Sequence, residues 1–183
     1  DATYGTNGIV VSQDTTSASA TFGKVTISYK VRDTDTATGT TNPGFVTPSF
    51  EYSTNGGTSW AAIPAGALAV GDTANKAVEG TIYNAYIATW TATSTVPNFS
   101  VANAKVRVTV NDNEAANSTS IATSANFTLD TTAPVVVASF DSSTGGASAG
   151  TVYITATDSS TLQYRVCNDS AFPTTDAQGN SCA

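Results

Sequence analysis

Val25-Thr26-Ile27-Ser28-Tyr29-Lys30-Val31-Arg32 is the stretch that decides the fold. Val25, Ile27, Tyr29 and Val31 project to one side, while Lys24, Thr26, Ser28, Lys30 and Arg32 project to the other. Apolar and polar residues alternating with period two describe an antiparallel strand with one face buried and one in water. The pattern repeats outward from there. Val106, Val108 and Val110 alternate with Lys105, Arg107 and Thr109; Tyr86, Ala88, Trp90 and Ala92 alternate with Ile87, Thr89 and Thr91. Phe50 and Tyr52 flank Glu51, and Ala125, Phe127 and Leu129 close the series. Shorter apolar pieces at Ile9 to Val11 and Ala18 to Phe22 are expected to be edge strands. No window carries helical periodicity, and the abundant Thr, Val, Tyr and Phe favour a pleated surface. The expected fold class is all-β.

Seven or eight short strands between Gly, Pro, Asn and Asp clusters predict a β-sandwich over residues 1–132. Leu129-Asp130-Thr131-Thr132-Ala133-Pro134 reads as a linker, because Pro cannot join a central strand and restricts the residue before it. The alternation then restarts with Val135 and Val137, then Val152, Ile154 and Ala156, then Leu162, Tyr164 and Val166. Residues 133–183 are therefore expected to form a partial second β-sandwich domain of about three strands. Three strands leave one face and one edge uncovered. Two explanations stay open: truncation of a longer tandem chain, or completion by a neighbouring subunit.

Composition narrows the function. The 183 residues carry 7 Lys+Arg against 14 Asp+Glu, a net charge of −7, with no cluster of basic residues. Nucleic-acid binding needs a basic footprint, so it is excluded. No apolar run approaches the roughly 20 residues that span a bilayer. The absence of an initiator Met, a basic n-region and an h-region suggests a mature or excised piece. Histidine is absent, so neither a Ser-His-Asp nucleophile nor a His-ligated metal can be built. Paired carboxylates such as Asp33 and Asp35 are a poor basis for an enzyme. Glycosidase carboxylates come from different elements across a cleft, and no cleft is indicated. The chain is expected not to be an enzyme and to require no cofactor.

Several stretches together resemble a known class. Tyr29-Lys30-Val31-Arg32-Asp33-Thr34-Asp35 is followed by Phe50-Glu51-Tyr52-Ser53-Thr54-Asn55-Gly56-Gly57-Thr58-Ser59-Trp60, then Trp90-Thr91-Ala92 and Arg107-Val108-Thr109-Val110-Asn111-Asp112. With the closing Phe127-Thr128-Leu129-Asp130-Thr131-Thr132-Ala133-Pro134, this resembles the immunoglobulin-like or fibronectin type III-like repeats of large bacterial and archaeal surface proteins. The resemblance covers most of residues 20–134, and residues 135–183 resemble the first half of another repeat. It implies an immunoglobulin-like sandwich at the cell surface.

Ser53, Asn55, Gly57 and Trp60 are similar to one Asp-box, with Asn where Asp is usual. Physically they describe a structural hairpin turn. The Asx side chain bonds nearby backbone, the Gly pair supplies positive φ, and Trp60 packs beneath. A sialidase would need several such boxes, an arginine cluster and a tyrosine nucleophile, and Arg32, Arg107 and Arg165 are the arginines here.

Calcium is the one cofactor considered. Asp33 and Asp35, spaced i and i+2, pair with Asp112 and Glu114 if the turns carrying them share one end of the sandwich. Calcium takes six to eight oxygens, so acids from several loops would have to converge. The competing reading is solvated acidic turns. Cys167 and Cys182 suggest a disulfide in an extracellular chain, against two free buried thiols; a loop of that size would contribute roughly 3 kcal/mol. Sequons place candidate glycosylation at Asn98, Asn117, Asn126 and Asn168. Tyr83, Tyr86, Trp90 and Trp60 are candidates for a sugar platform, against the leading reading that most of this aromatic area is core, because the core needs these rings.

The expected function is a non-catalytic structural module of an extracellular surface assembly: S-layer, filament, stalk or adhesin. Its partners would be copies of itself or neighbouring domains of the same polypeptide, with strand addition at sheet edges as one route. The alternative is a carbohydrate-binding or spacer module of a secreted glycan-active enzyme, with a surface glycan as partner.

Overall fold

The computed structural model describes residues 2–15, 20–21, 23–34, 44–114, 118–133, 135–141 and 151–157. The chain divides into two compact units, Asp1–Thr132 and Ala133–Ala183. Unit 1 contains β1 (Ala2–Gln13), β2 (Val25–Asp33), β3 (Phe45–Ser53), β4 (Ala61–Ala62), β5 (Lys76–Ala77), β6 (Asn84–Trp90), β7 (Ser100–Asn111), β8 (Thr119–Thr123) and β9 (Phe127–Asp130). Its only helical pieces among the described residues are single 3-10 turns at Ala65–Ala67 and Ala92–Ser94.

The strands form two antiparallel layers. One is three-stranded, in the order β1-β2-β6. In the other, β4-β3-β7-β8, strand β5 pairs the opposite end of β3 and β9 pairs the first half of β7. The molecule is an all-β sandwich. Val25, Ile27, Tyr29 and Val31 of β2 are buried, as are Ala104, Val106, Val108 and Val110 of β7, so period two sets the inner faces. Four aromatic rings bridge the layers. Tyr52 stacks on Trp90 at 5.1 Å between centroids, and Tyr29 meets Phe50 edge-on at 5.9 Å. Trp90 is fully buried, and its indole Nε1 donates to Thr95 Oγ1 at 2.9 Å, so its polar edge carries no desolvation penalty.

Three expected strand positions differ: Ala92, expected to extend β6, opens the second 3-10 turn instead. Ala20 and Thr21 lie in a turn, and Ala18 and Phe22 fall outside the described residues. β1 runs on to Gln13, and the connection to β2 closes through Gly23 N–H to Asp14 O (2.8 Å) and Lys24 N–H to Thr21 O (2.9 Å). Gly23, at φ +74°, turns the chain there. Ala125 is exposed between β8 and β9, where the strand line along β7 breaks. Ser124 spans the break: its N–H donates to Val106 O at 2.8 Å, and its Oγ accepts from Val106 N–H at 3.0 Å.

The outer edge of β6 is closed at one end. Ala69 N–H donates to Thr89 O and Thr91 N–H to Ala67 O, while Asp72 Oδ2 accepts from Thr89 N–H (2.8 Å) and Ala69 N–H (3.1 Å). In unit 2, β10 (Val135–Asp141) pairs antiparallel with β11 (Thr151–Thr157), Val135 opposite Thr157 and Asp141 opposite Thr151. The third expected strand, Leu162 to Val166, lies outside the described residues.

The Tyr29 hydroxyl is buried without a hydrogen-bond partner, and that burial holds its phenol far above the ordinary tyrosine range. A buried unmatched hydroxyl costs about 1–3 kcal/mol. Tyr29→Phe is therefore expected to be neutral or stabilising in urea denaturation, whereas Trp90→Ala should cost about 3–5 kcal/mol.

Candidate functional site: a hairpin turn and the two ends of the sandwich

The β3–β4 hairpin is tied by short side chains. Ser53 Oγ donates to Asn55 Oδ1 (2.8 Å) and accepts from Gly57 N–H (2.8 Å). Asn55 Oδ1 also accepts from Ser59 N–H (2.9 Å), while its Nδ2 donates to Ser59 Oγ (2.8 Å). Gly56 and Gly57 have φ of +72° and +98°, and a Cβ on Gly57 would stand 3.4 Å from the Trp60 ring. Above the turn, the Arg107 guanidinium sits 4.6 Å from the Trp60 ring centroid and forks onto Glu51, with Nε to Oε2 at 2.5 Å and Nη2 to Oε1 at 2.8 Å. That fork holds the Glu51 carboxyl below its usual range and the guanidinium above its own. The cluster forms a small, rigid surface plate of ring, cation and carboxylate.

At one end of the sandwich, Asp33 N–H donates to Glu79 O and Val78 N–H to Gly44 O, so the close of β2 and the start of β3 lie together. Thr47 pairs with Asn111, which brings Asp112 to the same end on the other layer. Asp33 and Asp112 are each 1% exposed, so neither is a solvated acid. Asp112 Oδ1 accepts from Glu114 N–H at 3.0 Å, and Asn111 Oδ1 accepts from Asn113 N–H at 2.6 Å, folding the acidic run into consecutive Asx turns. Glu114 is half-buried, and Asp35 lies outside the described residues. Among the described residues, no three acids stand together in a way that could hold a metal.

The opposite end is joined by a residue that motif reading passes over. Gln13 Nε2 donates to Asp130 O (2.6 Å) and to Gly23 O (2.9 Å), and Gln13 Oε1 accepts from Asp130 N–H (2.7 Å). The amide thus pairs with the Asp130 backbone as another peptide group would. Beside it, buried Thr131 donates its N–H to Phe99 O (2.8 Å), and its Oγ1 accepts from Phe99 N–H (3.1 Å) and donates to Val96 O. One signal for Gln13 exists in the sequence. It shares parity with Ile9 and Val11, so it is a polar side chain at an inward position.

Of the sugar-platform candidates, Trp90 is core, Tyr86 is half-buried with its hydroxyl donated to Ala77 O, and Trp60 is covered by Arg107. Tyr83 is exposed, with the Arg32 guanidinium 4.6 Å from its ring centroid. These four rings do not make one platform, because Trp90 belongs to the core. Asn98 and Asn126 are exposed, and Asn98 sits in a turn at φ +52°. Asn117, Asn168, Cys167 and Cys182 lie outside the described residues. No helix among the described residues is long and apolar enough to cross a membrane. No family model, no curated protein and no solved structure matches the chain.

Two measurements check the plate and the turn. Ser53→Ala removes the acceptor of the Gly57 N–H and should cost about 1–2 kcal/mol, whereas Asn55→Asp, which keeps the Oδ1 acceptor, should cost clearly less. Glu51→Gln should cost under about 1 kcal/mol at neutral pH, as expected for a partly exposed pair. Because the folded Glu51 pKa is lowered, its contribution is complete above the unfolded value near 4.3 and disappears as pH falls through the folded value. Denaturation midpoints of wild type and Glu51→Gln should therefore converge in acid.

Proposed function

We propose that the chain is a non-catalytic structural module of an extracellular surface assembly, built from immunoglobulin-like units in series. The observation that carries this reading is the threading of unit 1. The chain comes in at the Ala2 end, beside Asp33, and leaves at the Asp130 end, beside Gln13, before continuing into a second β unit. Modules threaded end to end extend a chain and transmit load, as a stalk or filament requires. Sheet order supports the immunoglobulin-like identity. β1-β2-β6 with the Leu68–Trp90 bridge, facing β3-β7-β8, follows the order in which such sandwiches arrange their strands. The 14 acids against 7 bases and the Ser/Thr outer faces fit a hydrated extracellular surface.

Self-association through these outer faces and free edges is the expected mode of action, with calcium as a second variable at the Asp33/Asp112 end. Light scattering of the full chain in millimolar calcium, then in chelator, tests both. Multimers in both buffers support assembly without calcium, and multimers that dissolve in chelator support a calcium-linked one. A monomer in both buffers at high concentration removes self-association and leaves a spacer between domains of one polypeptide. The alternative, a carbohydrate-binding module, rests on the Trp60 plate. It predicts glycan-array binding that Trp60→Ala abolishes.

A further inference from the structure

We infer that unit 1 is loaded in shear, and that the Gln13 amide is the clamp that resists its extension. The inference rests on the serial reading above and adds how such a module would carry force. It starts from direction. β1 runs from the Asp33 end to the Asp130 end, since Ala2 pairs with Asp33 and Gln13 with Val25. β8 and β9 run the same way, since Thr119 pairs with Asn111 and Asp130 with Ser100. The first and last strands of the unit are therefore parallel, and the chain comes in at the head of one and leaves at the tail of the other. Tension between the two pulls β1 and β9 along their own axes in opposite directions. The cross-strand hydrogen bonds of β1 lie perpendicular to that pull, so they must fail together rather than one at a time.

The two layers are separate sheets, so the strand ladders alone do not couple β1 to β9. Gln13 supplies a coupling at the exit. Its amide exchanges two hydrogen bonds with Asp130, at 2.6 and 2.7 Å, and a third with Gly23 O anchors it to the turn that leads into β2. Asp130 is followed directly by Thr131, whose backbone and hydroxyl are fixed to Val96 and Phe99. Load arriving at the C-terminal side of unit 1 thus meets Thr131, then the Gln13 clamp on Asp130, the last residue of β9, before it reaches the rest of that strand. Asn or Asp in place of Gln13 would be one methylene too short to make these bonds from the same backbone position.

The test is force spectroscopy on the full chain held by terminal peptide tags, scoring the event whose contour gain is roughly 400 Å, as expected for unit 1. Gln13→Ala removes about two net hydrogen bonds to Asp130, and unfolding at constant force should be about 10- to 30-fold faster. Gln13→Glu, which keeps the acceptor for Asp130 N–H but opposes a carboxylate to Asp130 O, should also unfold faster. Moving one handle to position 34, beside the start of β1, makes the same tension peel β1 from Ala2–Asp33 onward. In that geometry neither substitution should change the initial rupture. The proposal is overturned if both variants unfold at the wild-type rate under end-to-end load, or if they accelerate rupture equally in both geometries, which would mark Gln13 as a general stabiliser. A chain that stays monomeric in solution leaves this result standing, and an assembling chain without the clamp leaves the assembly reading standing.

Discussion

The sandwich depends on four aromatic rings spanning the gap between its layers. A chain with no Met, and with Ala and Val at most inner positions, has few of the long aliphatic side chains that usually fill some 10 Å between sheets. Trp90, Tyr52, Tyr29 and Phe50 close that distance in two cross-layer pairs. The Val and Ala positions around them then pack against rings rather than against voids. Even the position of the second 3-10 turn follows from this, since Trp90 holds Thr95 on its indole nitrogen and Ala92 lies in the core.

A second economy governs the polar groups. At four places where backbone groups lack a ladder partner, a short neutral side chain or a single carboxylate stands in for it. Ser124 does this at the β8–β9 break, Ser53 in the hairpin, Gln13 between layers and Asp72 beside β6. Buried backbone groups must be paired. A chain with 11% charged residues and roughly three residues in ten Ser or Thr meets that demand with hydroxyls and amides.

Period two made the inner faces legible. β2, β3, β6 and β7 sit where Val25–Val31, Phe50–Tyr52, Tyr86–Trp90 and Val106–Val110 place them, because burial of one face fixes register. Ala20 and Thr21 misled because small residues suit a turn as well as a strand, and periodicity over so short a piece cannot separate them. Acids misled in another way. Asp33 and Asp112 look like turn residues, yet they continue the inward parity of their strands and are buried. Gln13 and Asp72 act through partners 117 and 17 positions away, and spacing along the chain carries no trace of such contacts.

Placement of the basic residues has a consequence for turnover. Lys30 and Arg32 lie on β2, and Lys105 and Arg107 on β7, each strand flanked by neighbours in its sheet. A trypsin-like protease must draw several residues of extended backbone into its own cleft, which these strands cannot yield while paired. Cleavage at those four sites therefore waits on opening of the core itself. At those four sites, protection from such a protease lasts as long as the sandwich stays closed, whatever the number of scissile bonds the surface displays elsewhere.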